Sequence, residues 1–442
     1  MDCNNEIGRE RNKYLESNDA QTLLEYLKNK QMEDPTFFYV VQLDKEDGRI
    51  ANFFWADGQS IMDYACFGDA VSFDTTFQTN KFGMPLAPLR GTNHHKQTII
   101  FGCALLFNET IESFVWLFET FLVAMSGKHL STIFTNQDVA MAGAIAYVFP
   151  NTSHRLCIWH IYVNAAKHFS HDNSWMLNLY SLREKWAAIY RDSFTADMTS
   201  TQRSEGMNNV FKNRFRRKLG LSDLIGECDK VSATLRENEL EEHFQSRRKK
   251  PVNYVQNLPL LKTAAESYTR SMYKEFEERF KNQFSYSCKL LRIEGSISTF
   301  MVTHMYSDYG AMVLFDTTDI TITCSCRKYE SIGILCKHAF KVFDRNDVFI
   351  LPPRYIMNRW TKYAKRGFYI EKTESENETL KTHAARLSRK ATSLALKCSV
   401  SKPLLDDLEK TLDKLDLEAD DSLNKMQENE VPLVSNDPAN YK

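Results

Sequence analysis

A bilayer-spanning segment is missing from this 442-residue chain. A spanning helix needs roughly eighteen consecutive apolar residues, and the longest hydrophobic stretches here are broken sooner by Asn, Lys or Gly. A dominant charge is missing too. The 56 Lys and Arg against 57 Asp and Glu leave a net charge of −1, which excludes a generic polyanion binder and leaves nucleic-acid contact to local patches. No secretory signal peptide is recognisable. The ten cysteines are therefore expected as thiols in a reducing, intracellular compartment rather than as a disulfide framework. What the chain does have is core material: 43% hydrophobic and 12% aromatic residues, over a length that suits two or three domains.

The densest chemistry lies in T-C-S-C-R-K-Y-E-S-I-G-I-L-C-K-H-A-F. Cys324, Cys326, Cys336 and His338 form C-x-C, a nine-residue spacer, then C-x-H. Three thiolates and one imidazole complete a tetrahedral shell around one Zn²⁺, and two close pairs joined by a short loop let the chain fold back on the ion. The alternating I-T-I-T before the first pair predicts a strand. Gly333 can supply a turn, and H-A-F-K-V-F predicts a helix.

Five segments follow from composition and periodicity: residues 1–60, a helix and hairpin; 61–220, an α/β core; 221–285, a helical region; 286–365, strands leading into the 324–338 motif; and 366–442, a charged tail. The hairpin rests on two apolar runs flanking K-E-D-G, with Gly48 suited to positive φ. Strands are expected at 70–78, 85–93, 98–107, 131–135 and 154–159. Helices are expected at 111–125, after 138 and after 159. The order βββαβαβα is that of an RNase H-like domain, an antiparallel meander continued by parallel strands through crossover helices. The tail is low in aromatics and expected to be mostly disordered. Leu405, Leu408, Leu412 and Leu415 mark one short amphipathic segment, too short for a stable coiled coil by itself.

In an RNase H-like nuclease, acidic residues from the first strand, the end of the fourth strand and a late helix hold two divalent metals. Asp74 occupies the first position, and Glu205 is expected on a late helix. Directly after I-F-T comes Asn136, whose neutral amide is a poor ligand for a hard cation. Asp138, two residues on, is equally explained as a helix N-terminal residue that satisfies free backbone N–H groups.

Long motifs carry a resemblance. F-W-A-D-G-Q-S-I-M-D-Y-A-C-F-G-D-A-V-S-F-D-T-T-F-Q-T-N-K-F, N-H-H-K-Q-T-I-I-F-G-C-A-L-L, F-P-N-T-S-H-R-L-C-I-W-H, R-E-K-W-A-A-I-Y and S-T-Q-R-S-E-G-M-N resemble the plant far-red-impaired-response family of domesticated Mutator-like transposases. The C-x-C…C-x-H run resembles that family's SWIM zinc finger. The resemblance covers roughly residues 15–365 and implies a DDE transposase-type RNase H-like core followed by a small β-rich finger. It implies a nuclear transcription regulator rather than an active transposase. One Zn²⁺ is expected in the finger. The expected partners are family relatives or other transcription regulators, as homo- or heterodimer, with DNA contacted directly or indirectly. Neither a membrane nor a small-molecule substrate is expected.

The sequence departs from the family pattern at three places. It starts just before the core, where the family carries an N-terminal DNA-binding module. Asn136 replaces the usual aspartate, and a segment is expected to be missing near His171–Asn173. Asp74, Asn136 and Glu205 are therefore read as a vestigial acidic site. Cys157 and His160 match the C-x-x-H signature of Mutator-like transposases and form a second candidate metal pair, weighed against a buried thiol and a packing histidine. His94 and His95 are read as structural or surface residues rather than ligands. Lys212, Arg214, Arg216, Arg217 and Lys218 could meet phosphate, as could the weak nuclear-localisation candidate at residues 247–250. A third basic set, Arg354, Arg359, Lys362, Lys365 and Arg366, is interleaved with Tyr355, Trp360 and Tyr363 and suits nucleic acid or a protein partner. Two alternatives stay open. One is a metal-dependent DNA transposase or nuclease using Asp74, Asp138 and Glu205. The other is a truncated member that heterodimerises with full-length relatives and dampens them.

Overall fold

The computed structural model describes residues 17–44, 50–75, 80, 82–168, 173–187, 193–198, 211, 219–248, 251, 254–255, 257–365, 391, 394, 398 and 401–429. Glu205 and the basic run at 212–218 lie outside them, as do Lys249, Lys250 and Arg366. The fold is mixed α/β.

Helix α1 (Ser17–Glu33) buries Leu23 and Leu27, one turn apart. Strands β1 (Phe38–Leu43) and β2 (Ile50–Ala56) form an antiparallel hairpin. Helix α2 (Gly58–Phe67) is capped by the Asp57 carboxylate, which accepts from the Ser60 N–H. Then come β3 (Ala70–Phe73), β4 (Leu86–Thr92), β5 (Thr98–Leu105), α3 (Ile111–Ala124), β6 (Thr132–Thr135), α4 (Val139–Val148), β7 (Ser153–Leu156) and the helices α5 (Ile158–His168), α6 (Asn173–Ser181) and α7 (Arg183–Trp186).

The first seven strands make one sheet in the order β1-β2-β5-β4-β3-β6-β7. The pairs from β1 through β3 are antiparallel, and β3-β6 and β6-β7 are parallel. The expected succession of three strands, then helix and strand in alternation, is present. The hairpin adds two strands at the β5 edge.

Both faces of this sheet are covered, so its strands read as nearly unbroken apolar runs. Phe54, Val71, Phe73, Phe101 and Ile133 face a core shared with Phe114, Phe118 and Phe121 of α3 and Met141 and Ile145 of α4. Phe53, Trp55, Leu86 and Ile100 face the opposite core, against Leu23 and Leu27. In β5 the alternation changes parity partway. Leu89 pairs with Gly102 and Arg90 with Ile100, so Phe101 is an extra residue, a β-bulge.

The first core strand is shorter than the expected 70–78 span. It ends at Phe73, opposite Leu89. The next residue across the ladder is Pro88, which has no N–H to donate. Asp74 thus follows the strand rather than lying within it.

Helix α8 (Leu221–Arg248) packs Leu224, Ile225, Cys228 and Val231 into the second core. Helices α9 (Pro259–Ser267) and α10 (Arg270–Asn282) precede a four-stranded antiparallel sheet, β11-β10-β9-β8. Its strands are β8 (Tyr286–Glu294), β9 (Ile297–His304), β10 (Gly310–Asp316) and β11 (Thr321–Cys324). Helices α11 (Lys328–Ile332) and α12 (Lys337–Arg345) follow. These elements share a third core, in which Phe276 and Phe280 of α10 meet Phe340 of α12 and Trp360 is fully buried.

The chain divides into two compact units, Met1–Arg386 and Leu387–Lys442. The second contains α13 (Lys402–Asn429), a 28-residue helix much longer than the short segment expected. Leu404, Leu405, Leu412, Leu415 and Leu417 are exposed along it.

Two cations of the third basic set are paired inside the first unit, Arg359 buried and Lys365 mostly so, which corrects their reading as a nucleic-acid or partner surface. Lys365 Nζ lies 2.9 Å from Asp63 and 2.6 Å from Glu239. Arg359 donates to Asp69 Oδ1 and to the Thr92 carbonyl, both at 2.6 Å, and stacks on Phe67, Phe194 and Trp360. Lys362 donates to the Ala265 carbonyl. These side chains bind the segment after α12 to α2, the β4 end and α8.

Removing one partner of a buried pair strands the other charge, at a cost of about 3–5 kcal/mol. Lys365→Met should lower unfolding stability by about that much. Lys230→Met, which removes an exposed pair with Glu227, should change it by under about 0.5 kcal/mol. Urea titration of both variants checks the contrast.

Candidate metal centre

Strand β11 ends on Cys324, and Cys326 follows in the turn that leads to α11. That turn is tight. Arg327 has φ +46, and Gly333 closes α11 at φ +83, where an added Cβ would meet Met357 Sδ at 2.5 Å. Cys336 is the N-cap of α12, with its Sγ accepting from the Ala339 N–H at 3.3 Å. His338 therefore falls in the first helical turn. The four ligand atoms lie within 4.8 Å of one another. Cys324 Sγ and His338 Nδ1 are 3.6 Å apart. Thiolate and imidazole ligands at tetrahedral zinc, with bonds near 2.3 and 2.0 Å, would be about 3.5 Å apart.

Hydrogen bonds from Cys324 and Cys336 hold the Cys326 thiol well below its usual range, while the bonds to Cys326 and Cys336, then burial, push Cys324 well up. Three thiols crowded together cannot all ionise alone, and a divalent cation removes that conflict. The donor set and spacing fit one Zn²⁺. The knuckle is fixed from outside: Trp360 Nε1 donates to the Ile332 carbonyl at 2.6 Å, and Thr195 donates through both N and Oγ1 to the Ser331 carbonyl.

At the other candidate site, Asp74 is buried just past β3, with Oδ2 3.6 Å from His160 Nε2. Cys157 Sγ accepts from the His160 N–H at 3.2 Å, so the C-x-x-H pair straddles the start of α5. The structure brings Asp74 and His160 together, a juxtaposition sequence spacing did not reveal. At the end of β6, Asn136 Oδ1 accepts from the Asp138 N–H, and Asp138 Oδ1 accepts from the Met141 N–H as the N-cap of α4. Both side chains are engaged by backbone.

Arg90 was not singled out in the sequence. It is buried on β4 opposite Ser72, on the face Asp74 shares by alternation. Burial pushes its guanidinium down, and the Asp74 carboxylate opposes that shift. Glu109 was also missed; it accepts from Thr75 Oγ1 next to Asp74. A buried Arg near the Asp74 carboxylate could be recognised only once the register of β3 on β4 was known. His94 and His95, in the β4–β5 turn, are fully buried rather than at the surface.

Cys336→Ser should abolish zinc binding at the finger and loosen residues 320–345. Metal analysis should find one zinc fewer per chain, and amide exchange in β11 and α12 should rise well above that of α3. Undiminished zinc would show that other donors hold the ion.

Two family models match the chain: the MULE transposase domain over residues 70–164, from β3 into α5, and the SWIM zinc finger over residues 316–345, from β10 through α12. Among curated proteins of Arabidopsis thaliana, Protein FAR1-RELATED SEQUENCE 5 is 32% identical over 93% of this chain and 59% of its own length. Protein FAR-RED IMPAIRED RESPONSE 1 is 31% identical over 91% of this chain and 53% of its own length. Protein FAR1-RELATED SEQUENCE 9 is 30% identical over 81% of this chain and 72% of its own length. The chain thus spans between half and three-fifths of the first two relatives and more of the third. A transposase domain, a finger with four converging ligands and similarity along most of the sequence lead to one assignment: the chain belongs to the FAR1-related, FAR-RED IMPAIRED RESPONSE family of domesticated Mutator-like transposases that carry a SWIM zinc finger.

Proposed function

We propose that this chain is a nuclear transcription regulator whose transposase-derived core no longer performs nuclease chemistry. The strand order β5-β4-β3-β6-β7, antiparallel then parallel, supports an RNase H-like reading of that core. The observation that carries the loss of chemistry is the end of β6. A neutral Asn136 follows the strand, and the nearby Asp138 carboxylate caps α4. Two-metal catalysis needs several carboxylates facing the same pair of ions. Arg90 weakens the case for such ions further, because it already places a buried positive charge near Asp74.

Regulation then depends on what the scaffold contacts. The partners we propose are family relatives or other transcription regulators, reached through α13, whose leucines recur every three or four residues on an exposed face. DNA contact, direct or through such partners, would be sequence-neutral and salt-sensitive where it uses the basic run at 212–218.

Two measurements test this reading. The full chain tagged with a fluorescent protein should accumulate in plant nuclei and alter a reporter, and Asp74→Asn should leave reporter output within about twofold of wild type, since nothing is asked of a catalytic carboxylate. Purified protein should not nick or join DNA in Mn²⁺. Cutting that disappears in Asp74→Ala would instead establish the nuclease.

A further inference from the structure

A second cluster of ligand-type side chains lies far from the finger. His94 and His95 stand in the turn between β4 and β5, and His243 reaches them from α8, 149 residues away in sequence. One ring nitrogen from each lies within 4.8 Å of the others. His94 Nε2 and His243 Nδ1 are 3.5 Å apart. Imidazole nitrogens on a tetrahedral ion, with bonds near 2.0 Å, would be about 3.3 Å apart. We propose that His94, His95 and His243 bind a second divalent transition-metal ion of the zinc class, with a fourth position left for water or an incoming ligand.

Four observations support the site. First, both ring nitrogens of His95 and the Nδ1 of His94 are buried with no hydrogen-bond partner. Leaving such groups unsatisfied is costly, and an ion would engage a lone pair on every ring. Second, the turn is built to hold the two rings. Asn93 Oδ1 accepts from the N–H groups of His95 and Gln97, and Thr269 Oγ1 donates to the His94 carbonyl. Third, Glu239 sits one helical turn before His243 and places Oε1 3.8 Å from His94 Nδ1, on the other side of the ring from His243. A carboxylate behind a ligating histidine fixes the ring and raises its basicity.

Fourth, the cations near the rings are each matched by carboxylate: Asp63 and Glu239 face Lys365, and Asp69 faces Arg359. Imidazole donors favour zinc, cobalt, nickel or copper over magnesium or calcium, which take oxygen. The ion would staple a hairpin turn of the large sheet to α8.

The test counts ions in the full chain after dialysis against Zn²⁺. Wild type should hold two zinc ions per chain, Cys336→Ser one, His243→Ala one and the double variant none. His243 is only half-buried, so His243→Gln provides a second, milder variant if the alanine fails to fold. Cobalt separates the sites by spectrum. In the Cys336→Ser background it should give a visible d–d band without thiolate charge transfer, and that band should vanish with either His243 substitution. A wild type that saturates at one zinc, or a His243 variant that keeps two, would overturn the proposal while leaving the finger intact.

Discussion

Lys365 lies between Asp63 and Glu239; the two carboxylates are buried, and the lysine side chain is 15% exposed. None could be there alone. Isolated charges of this kind cost several kcal/mol each to bury, and only close pairing offsets that. Burial pulls the lysine's pKa down, and the two carboxylates outweigh it and hold the group charged. Glu239 is held low because Lys365 overcomes its burial, whereas for Asp63 burial prevails and its pKa rises. The three groups come from α2, from α8 and from the segment after the finger. The triad therefore forms only when those three parts of the chain are in place at once. Arg359, on Asp69 and the Thr92 carbonyl, repeats the arrangement six residues earlier. The positioning of α8 that brings His243 to His94 and His95 follows from the same constraint, because Glu239 and His243 are one turn apart on that helix.

Charge also decides what the large sheet can do. A two-metal nuclease concentrates negative charge at the strand ends so that dications bind and activate oxygen. Here the neighbourhood of Asp74 contains His160 and the buried Arg90, and the end of β6 carries a neutral amide. At that position an asparagine still forms the same backbone-binding turn as an aspartate, since its Oδ1 accepts from Asp138 N–H. An asparagine here thus keeps the turn while offering a hard cation a weaker ligand than a carboxylate would.

The sequence made the elements legible where periodicity or spacing is local. The order of strands and helices from β3 to α5, the hairpin, the β11–α12 bracket of the four ligands and the turn at Gly333 could all be read from short windows. Contacts that depend on register or on long loops could not be read. Pro88 ends β3 only because it falls opposite Asp74, and Arg90 meets Asp74 only through that same pairing. Arg359 and Lys365 look like a surface patch in sequence because they alternate with aromatics. In the fold Tyr355 and Trp360 are buried, Arg359 stacks on the Trp360 ring and Lys365 lies over Phe67, whereas Tyr363 is exposed. His243 gives no sign of its role, since its partners lie in a turn of another layer.

The finger is best understood as part of this clamp rather than as an appended module. Its knuckle, α11, is fixed by Trp360 Nε1 on the Ile332 carbonyl and by Thr195 on Ser331. Trp360 directly follows Arg359, whose guanidinium stacks on the Trp360 ring while it binds Asp69. A path of direct contacts thus runs from the zinc ligands through Gly333 and Trp360 to Arg359 and the first core strand. Structural zinc contributes folding free energy by closing the loop that its ligands bracket. In this chain that closure also presents the Ile332 carbonyl to Trp360, and with it sets the segment that carries Arg359 and Lys365 to their buried partners. The ion would therefore stabilise the large sheet as well as the finger, because the two are joined by charges that cannot be buried separately.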